Sequence, residues 1–182
     1  LTNVTISVAN GGCLENAGGT VTLANCTFTQ SPKSDVSGEG HTSSAIAVSN
    51  GGVINVESGT YTSAGFGAYV FNSGGTINIE GGAFEAPTVL KADNSTTTNK
   101  SIINISDGEF TGNHSIGNKS TLSITGGKFS SDPKDYVPDE GYIITETNGT
   151  YTVEELNENN ILPEAFDPRV SQVVSEAVKA LI

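Results

Sequence analysis

The residues best suited to chemistry in this chain are carboxylates. Glu57 and Glu80 fall at the same place in two copies of one unit, VINVESGTY at 53–61 and TINIEGGAF at 76–84. If the copies stack, the two carboxyls lie one coil apart, close to the ~5 Å at which a retaining glycosidase pairs its acid with its nucleophile. The next copies put Ser106 and Thr125 in that slot, so a solvated corner accounts for the pair without catalysis. Asp107 and Glu109, in IINISDGEF at 102–110, extend the acidic strip with hard oxygen ligands that could hold calcium weakly. An exposed corner explains these equally well.

The histidines come next. His41 sits in SGEGHTSS, and His114 follows a glycine-asparagine pair that reads as a turn. Either could be a general base, and either is accounted for as a loop residue. Glu57, Glu80, Asp107, Glu109 and His41 are therefore the candidate binding residues; no catalytic residue, metal ligand or cofactor is assigned. Cys13 and Cys26 lack CxxC spacing, and either a buried pair of small side chains or one disulfide explains them. Phe66, Tyr69 and Phe71 cluster in FGAYVF, where a sugar-stacking platform competes with packing. Tyr69 and Phe71 alternate like core positions, which favours packing.

Elimination chemistry on acidic polysaccharides needs calcium and a cationic base, and hydrolysis needs paired carboxylates. Arg169 is the sole arginine and the lysines are scattered; the paired aspartate and arginine or histidine motifs of pectin lyases and polygalacturonases are absent. The net charge of −12 argues against nucleic acid or anionic lipid as partner, since both require clustered cations. From Asp132 onward the chain carries −8 of that charge in 51 residues. No apolar run is long enough to cross a membrane as a helix. The Leu1 start and the lack of any Met read as an excised piece of a longer protein.

The elements that would position these residues are strands. Charged residues make up only 15 %, and Gly, Asn, Ser and Thr are abundant, a balance that favours turns and strands over exposed helix. Upstream of each of Phe28, Tyr61, Phe84, Phe110 and Phe129 comes an aliphatic pair: Val21/Leu23, Ile54/Val56, Ile77/Ile79, Ile103/Ile105 and Leu122/Ile124. Between the members of each pair stands Thr22, Asn55, Asn78, Asn104 or Ser123, so each unit alternates with period two. Two residues before the aromatic is a corner, Gly59, Gly82, Gly108 or Gly127, with Cys26 the exception. A weaker strand precedes each unit, at 45–49, 68–72, 89–92 and 115–117.

The spacing between units, 17, 33, 23, 26 and 19 residues, fits a solenoid whose loops differ in length. A β-sandwich also alternates and turns often, but its antiparallel neighbours occupy different environments and do not converge on one residue type. In a parallel β-helix equivalent residues stack at about 4.8 Å, which predicts Ile and Val ladders inside and Asn outside. The insertions at 30–44 and 91–100 are the places for a binding surface. Asn148-Gly149, between alternating strands in YIITETNGTYTV, predicts a hairpin over the last coil. Val170, Val173, Val174, Ala177, Val178 and Leu181 predict a short amphipathic helix after Asp167-Pro168.

The units INIEGGAF and LSITGGKF, followed by FSSDPKDYVPDEGYIITETNGTYTV, resemble the right-handed parallel β-helix regions of large secreted or cell-surface proteins from gut-dwelling Gram-positive bacteria. The resemblance covers roughly residues 1–153 and implies a pectate-lyase-like fold and an extracytoplasmic location. It implies no definite activity, because this shape carries both enzymes and inert stalks. The expected architecture is all-β: parallel β-helix coils over 1–131, a crossing segment and capping hairpin over 132–153, and an acidic linker with the terminal α-helix over 154–182. The expected role is a non-catalytic extracellular module, a rigid spacer or adhesin-like domain presenting loops to a glycan or a host or microbial surface protein. The alternative is a carbohydrate-active module using the acidic strip.

Overall fold

The computed structural model describes residues 1–9, 11–31 and 43–157. The alternating units form an all-β solenoid of about five turns. One flank, the isoleucine sheet, stacks Thr20–Leu23, Gly52–Val56, Gly75–Ile79, Ser101–Ile105 and Thr121–Ile124 in parallel. Its register aligns Val21, Ile54, Ile77, Ile103 and Leu122 in one column and Leu23, Val56, Ile79, Ile105 and Ile124 in the next. Nearly all of these side chains are fully buried. Equal residues thus share one environment because each coil is hydrogen-bonded directly onto the last.

The polar row between those columns faces outward and bonds to itself. Asn78 donates through Nδ2 to Asn55 Oδ1 at 2.8 Å, and Asn104 donates likewise to Asn78 Oδ1 at 2.9 Å. Identical amides at one-coil spacing are placed for this, since each offers its donor to the preceding coil and its acceptor to the next. Asn78 is the only one of the three that serves as both donor and acceptor in this row. Asn78→Ala is therefore expected to cost about 1–2 kcal/mol, and Asn104→Ala about half as much, measured as shifts of the urea midpoint.

The second flank is the aromatic sheet. Thr5–Val8, Cys26–Gln30, Gly59–Ser63 and Gly127–Phe129 stack with the first halves of two long strands, Ala83–Ala92 and Glu109–Ile116. Their register aligns Ile6, Phe28, Tyr61, Phe84, Phe110 and Phe129. The corner between the two flanks requires positive φ, at +134° for Gly59 and +127° for Gly108, a region a Cβ disfavours. Cys26 opens its strand on the first of these corners, fully buried.

The third flank stacks Leu14–Asn16, Ser44–Val48 and Phe66–Val70 with the second halves of the long strands. The sequence predicts a turn at Gly112-Asn113, but the chain runs through them as one strand. Leu14, Ile46, Ala68, Leu90 and His114 form its inward column. Tyr69 and Phe71 are packed, as their alternation favours, but with Ala47 and Phe66 in a cluster separate from the main core. Ala68 and Val70 take the inward places on Phe66–Val70 and are fully buried.

After Phe129 the chain crosses through a single 3-10 turn, Lys134–Tyr136, to two antiparallel strands, Tyr142–Thr147 and Thr150–Glu155. Asn148 and Gly149 join them at φ +51° and +79°, the mirror-image turn that suits a twisted hairpin. Thr150–Glu155 also pairs antiparallel with Gly127–Phe129, and Val153 is buried there. Among the described residues no helix is long and apolar enough to cross a membrane. The predicted terminal helix and His41 lie outside the described residues.

Candidate functional site

The acidic corner follows directly from the isoleucine sheet. Glu57 N donates to Leu23 O at 2.9 Å, Glu80 N to Val56 O at 2.8 Å, Ser106 N to Ile79 O at 2.9 Å and Thr125 N to Ile105 O at 2.8 Å. The four side chains therefore leave the coil at one slot, as the repeat implies. The short ones fold back: Thr125 Oγ1 donates to Ile105 O at 3.1 Å. Glu57 and Glu80 instead stand in solvent. A hydrolytic pair needs one carboxyl held in apolar surroundings so that it keeps its proton, and neither of these has such a wall.

Asp107 lies one place further along its coil, where Oδ1 accepts the Gly108 N–H at 2.7 Å and so helps to make the corner. Glu109, on the next strand, faces Lys128 across the register and pairs with its Nζ at 3.5 Å. Both side chains of that pair are more than half exposed, so it adds little stability. These residues line a shallow groove of about 420 Å³ with Gly81, Gly82 and Ala83. Glu80 lines another of about 270 Å³ with Asn78, Asn104, Ser106 and Ser123. The strip predicted as one acidic surface is thus split, with Glu80 on one groove, Asp107 and Glu109 on the other, and Glu57 on neither. Among the described residues no group of three His, Cys, Asp or Glu side chains could hold a metal ion.

The cysteines are free thiols, so of the two sequence readings the structure has unbridged side chains. Cys26 Sγ lies 3.5 Å from Leu1 O and 3.6 Å from Ala24 O, filling its corner as a small, weak donor. Cys13 is half-buried, and burial raises its pKa against the lowering effect of the Thr29 backbone.

A further polar cluster went unread in the sequence. The outward column of the third flank is Glu15, Ala47, Tyr69, Lys91 and Ser115. Tyr69 Oη donates to Asp93 Oδ2 at 2.7 Å, Lys91 Nζ lies 3.5 Å from Asp93 Oδ1, and Lys91 donates to Ser115 Oγ at 3.3 Å. Burial, then the hydrogen bond and charge of Asp93, push the Tyr69 phenol far above its ordinary value, so it remains a donor. Phe66 and Phe71 hold the ring from two sides, at 5.0 and 4.3 Å between centroids.

This cluster flanks an open groove of about 380 Å³ lined by Lys91, Asp93, Asn94, Ser95 and Ser115, among others. The groove adjoins the insertion at 91–100 that the sequence marks as a binding place. The insertion is tied down: Asn94 Oδ1 accepts from Asn118 N at 2.7 Å, and Ser95 Oγ from Ser101 N at 2.8 Å. Lys91 near the end of its strand and Asp93 just beyond it, two residues apart with Tyr69 one coil below, was the available signal. No protein-family model, curated protein or solved structure matches the chain.

Proposed function

We propose that the chain is a non-catalytic extracellular or cell-surface module, a rigid right-handed β-helical spacer or adhesin-like domain that presents its loops to a surface ligand. In this reading the antiparallel hairpin caps the C-terminal coil, and the groove beside 91–100 receives the ligand. The supporting observation is the unbroken register, in which every strand of the isoleucine sheet repeats the same inward columns. A stack of that kind resists bending because any kink must break several parallel hydrogen bonds at once. The groove's cation, carboxylate, amides and hydroxyls match the alternating donors and acceptors of a hydroxyl-rich saccharide or a polar peptide.

The carbohydrate-active alternative draws on one observation, that Glu80 shares its groove with the Asn78 and Asn104 amides. A glycan array combined with a calcium titration separates the two. On the preferred reading, retention of a sugar or surface protein falls at least tenfold in Lys91→Ala and Asp93→Asn and is unchanged in the Glu57→Gln, Glu80→Gln double variant. Loss confined to the double variant, or sugar turnover that the double variant abolishes, would overturn it in favour of the alternative.

A further inference from the structure

We propose that His114 is an acid-sensitive latch holding the closing segment of the chain against the last coil. The inference is independent of any ligand. His114 occupies the inward column that Leu14, Ile46, Ala68 and Leu90 fill on earlier coils, so an imidazole stands where the fold otherwise places aliphatic side chains. Its ring meets two others edge-on: Phe129 of the last coil at 5.9 Å and Tyr136 of the crossing turn at 5.9 Å. The imidazole is therefore one packing contact between the coil stack and the segment that crosses its end, beside those of Val137 and Val153.

Its Nε2 is buried and without a hydrogen-bond partner in this structure. A neutral nitrogen tolerates that place at modest cost, whereas a protonated one would be an unpaired charge against two aromatic rings and an aliphatic column. Burial accordingly lowers the pKa of the group below its ordinary 6.5.

Among the described residues no charged side chain is placed to stabilise the imidazolium. From the crossing turn the titratable side chain that faces it is the Tyr136 phenol, while Asp132, Lys134 and Asp135 are exposed. On the last coil Lys128 points outward to Glu109, and on the preceding coil Lys91 lies on the outer face with Asp93. Glu154 and Glu155 of the hairpin are exposed.

The sign follows from linkage. With the segment open, His114 titrates near 6.5; with it closed, at a lower pH. The open form thus binds more protons below pH 6.5, and closure loses stability as pH falls from there toward the closed-state value. Within that window the open fraction rises by up to about tenfold per pH unit, and above it the latch is fully effective.

Hydrogen exchange measured by mass spectrometry at pH 7.5 and 5.5, corrected for intrinsic rates, tests the device on the whole chain. The expected result is acid-induced loss of protection over 127–137 and 142–155, with 75–79 unchanged. His114→Leu restores the column's own residue type and is expected to show no such loss. His114→Gln, polar but untitratable, is expected to open the segment equally at both pH values. Equal protection of the unaltered chain at both pH values overturns the proposal. So does an acid-induced loss of the same size in His114→Leu or in His114→Gln, which would assign the effect to carboxylates.

Discussion

Replacing Phe110 by alanine is expected to destabilise the protein by about 4 kcal/mol. Phe110 is 2 % exposed and lies between two near-parallel rings, Phe84 at 5.4 Å and 10° and Phe129 at 4.9 Å and 8°. Truncation removes the buried ring and two aromatic contacts worth about 0.5–1.5 kcal/mol each beyond their area. The hydrogen-bonded ladders on either side hold the neighbouring coils apart, so the void cannot close. Among the described residues Phe28 has a single ring neighbour, Tyr61, edge-on at 5.5 Å and 88°, so Phe28→Ala should cost less. The column admits Ile6 at its first position, and Phe110→Leu is expected to cost only about 1–1.5 kcal/mol. Urea unfolding followed by circular dichroism checks all three. A loss below ~1 kcal/mol for Phe110→Ala would mean that the rings do not form the packed spine described here.

The second large effect is a backbone one. Gly112→Ala is expected to cost about 3 kcal/mol or more, from the strain of its conformation together with overpacking. Between the matched pairs Glu85/Thr111 and Thr88/Asn113 the lower strand has two residues, Ala86 and Pro87, and the upper strand has Gly112 alone. One residue must therefore turn the corner that two turn below it, which Gly112 does at φ +135°. A Cβ there would overlap the Ala86 carbonyl oxygen, a backbone atom that cannot swing aside. The other side is closed as well, since Ser130 Oγ accepts the Gly112 N–H at 2.9 Å and Ser131 Oγ donates to Gly112 O at 2.7 Å. Gly141 has open space around it, and Gly141→Ala should cost only the strain of its φ of +82°. Thermal midpoints of the two variants compared with the parent measure the difference; equal midpoints would contradict the close approach at Gly112.

These two positions show what could be read from the chain and what could not. The columns Val21 to Leu122 and Phe28 to Phe129 were legible because one strand's alternation is local and its copies are similar enough to align. The acidic slot of Glu57 and Glu80 was legible for the same reason. His114 was within reach: counting by twos from Phe110 passes Gly112 and arrives at an inward histidine. Reading Gly112-Asn113 as a turn broke that count, because a glycine that bends a strand and one that ends it have the same letter. That Tyr69 packs in a cluster apart from the main core was not legible, because alternation gives two faces but not which of them is enclosed.

By itself, then, the amino-acid sequence determined the period, the inward and outward rows of the regular flanks, and the glycine corners, all of which depend on a few neighbouring residues. The tertiary structure alone decided which side of the third flank encloses the core, that Tyr69, Lys91, Asp93 and Ser115 from successive coils meet, that the acidic strip is split, and that the cysteines are separate thiols. Each of those depends on how far the chain travels before returning to its own column. Loops of unequal length set that distance, and their closure is governed by packing between coils, which no short stretch of residues encodes.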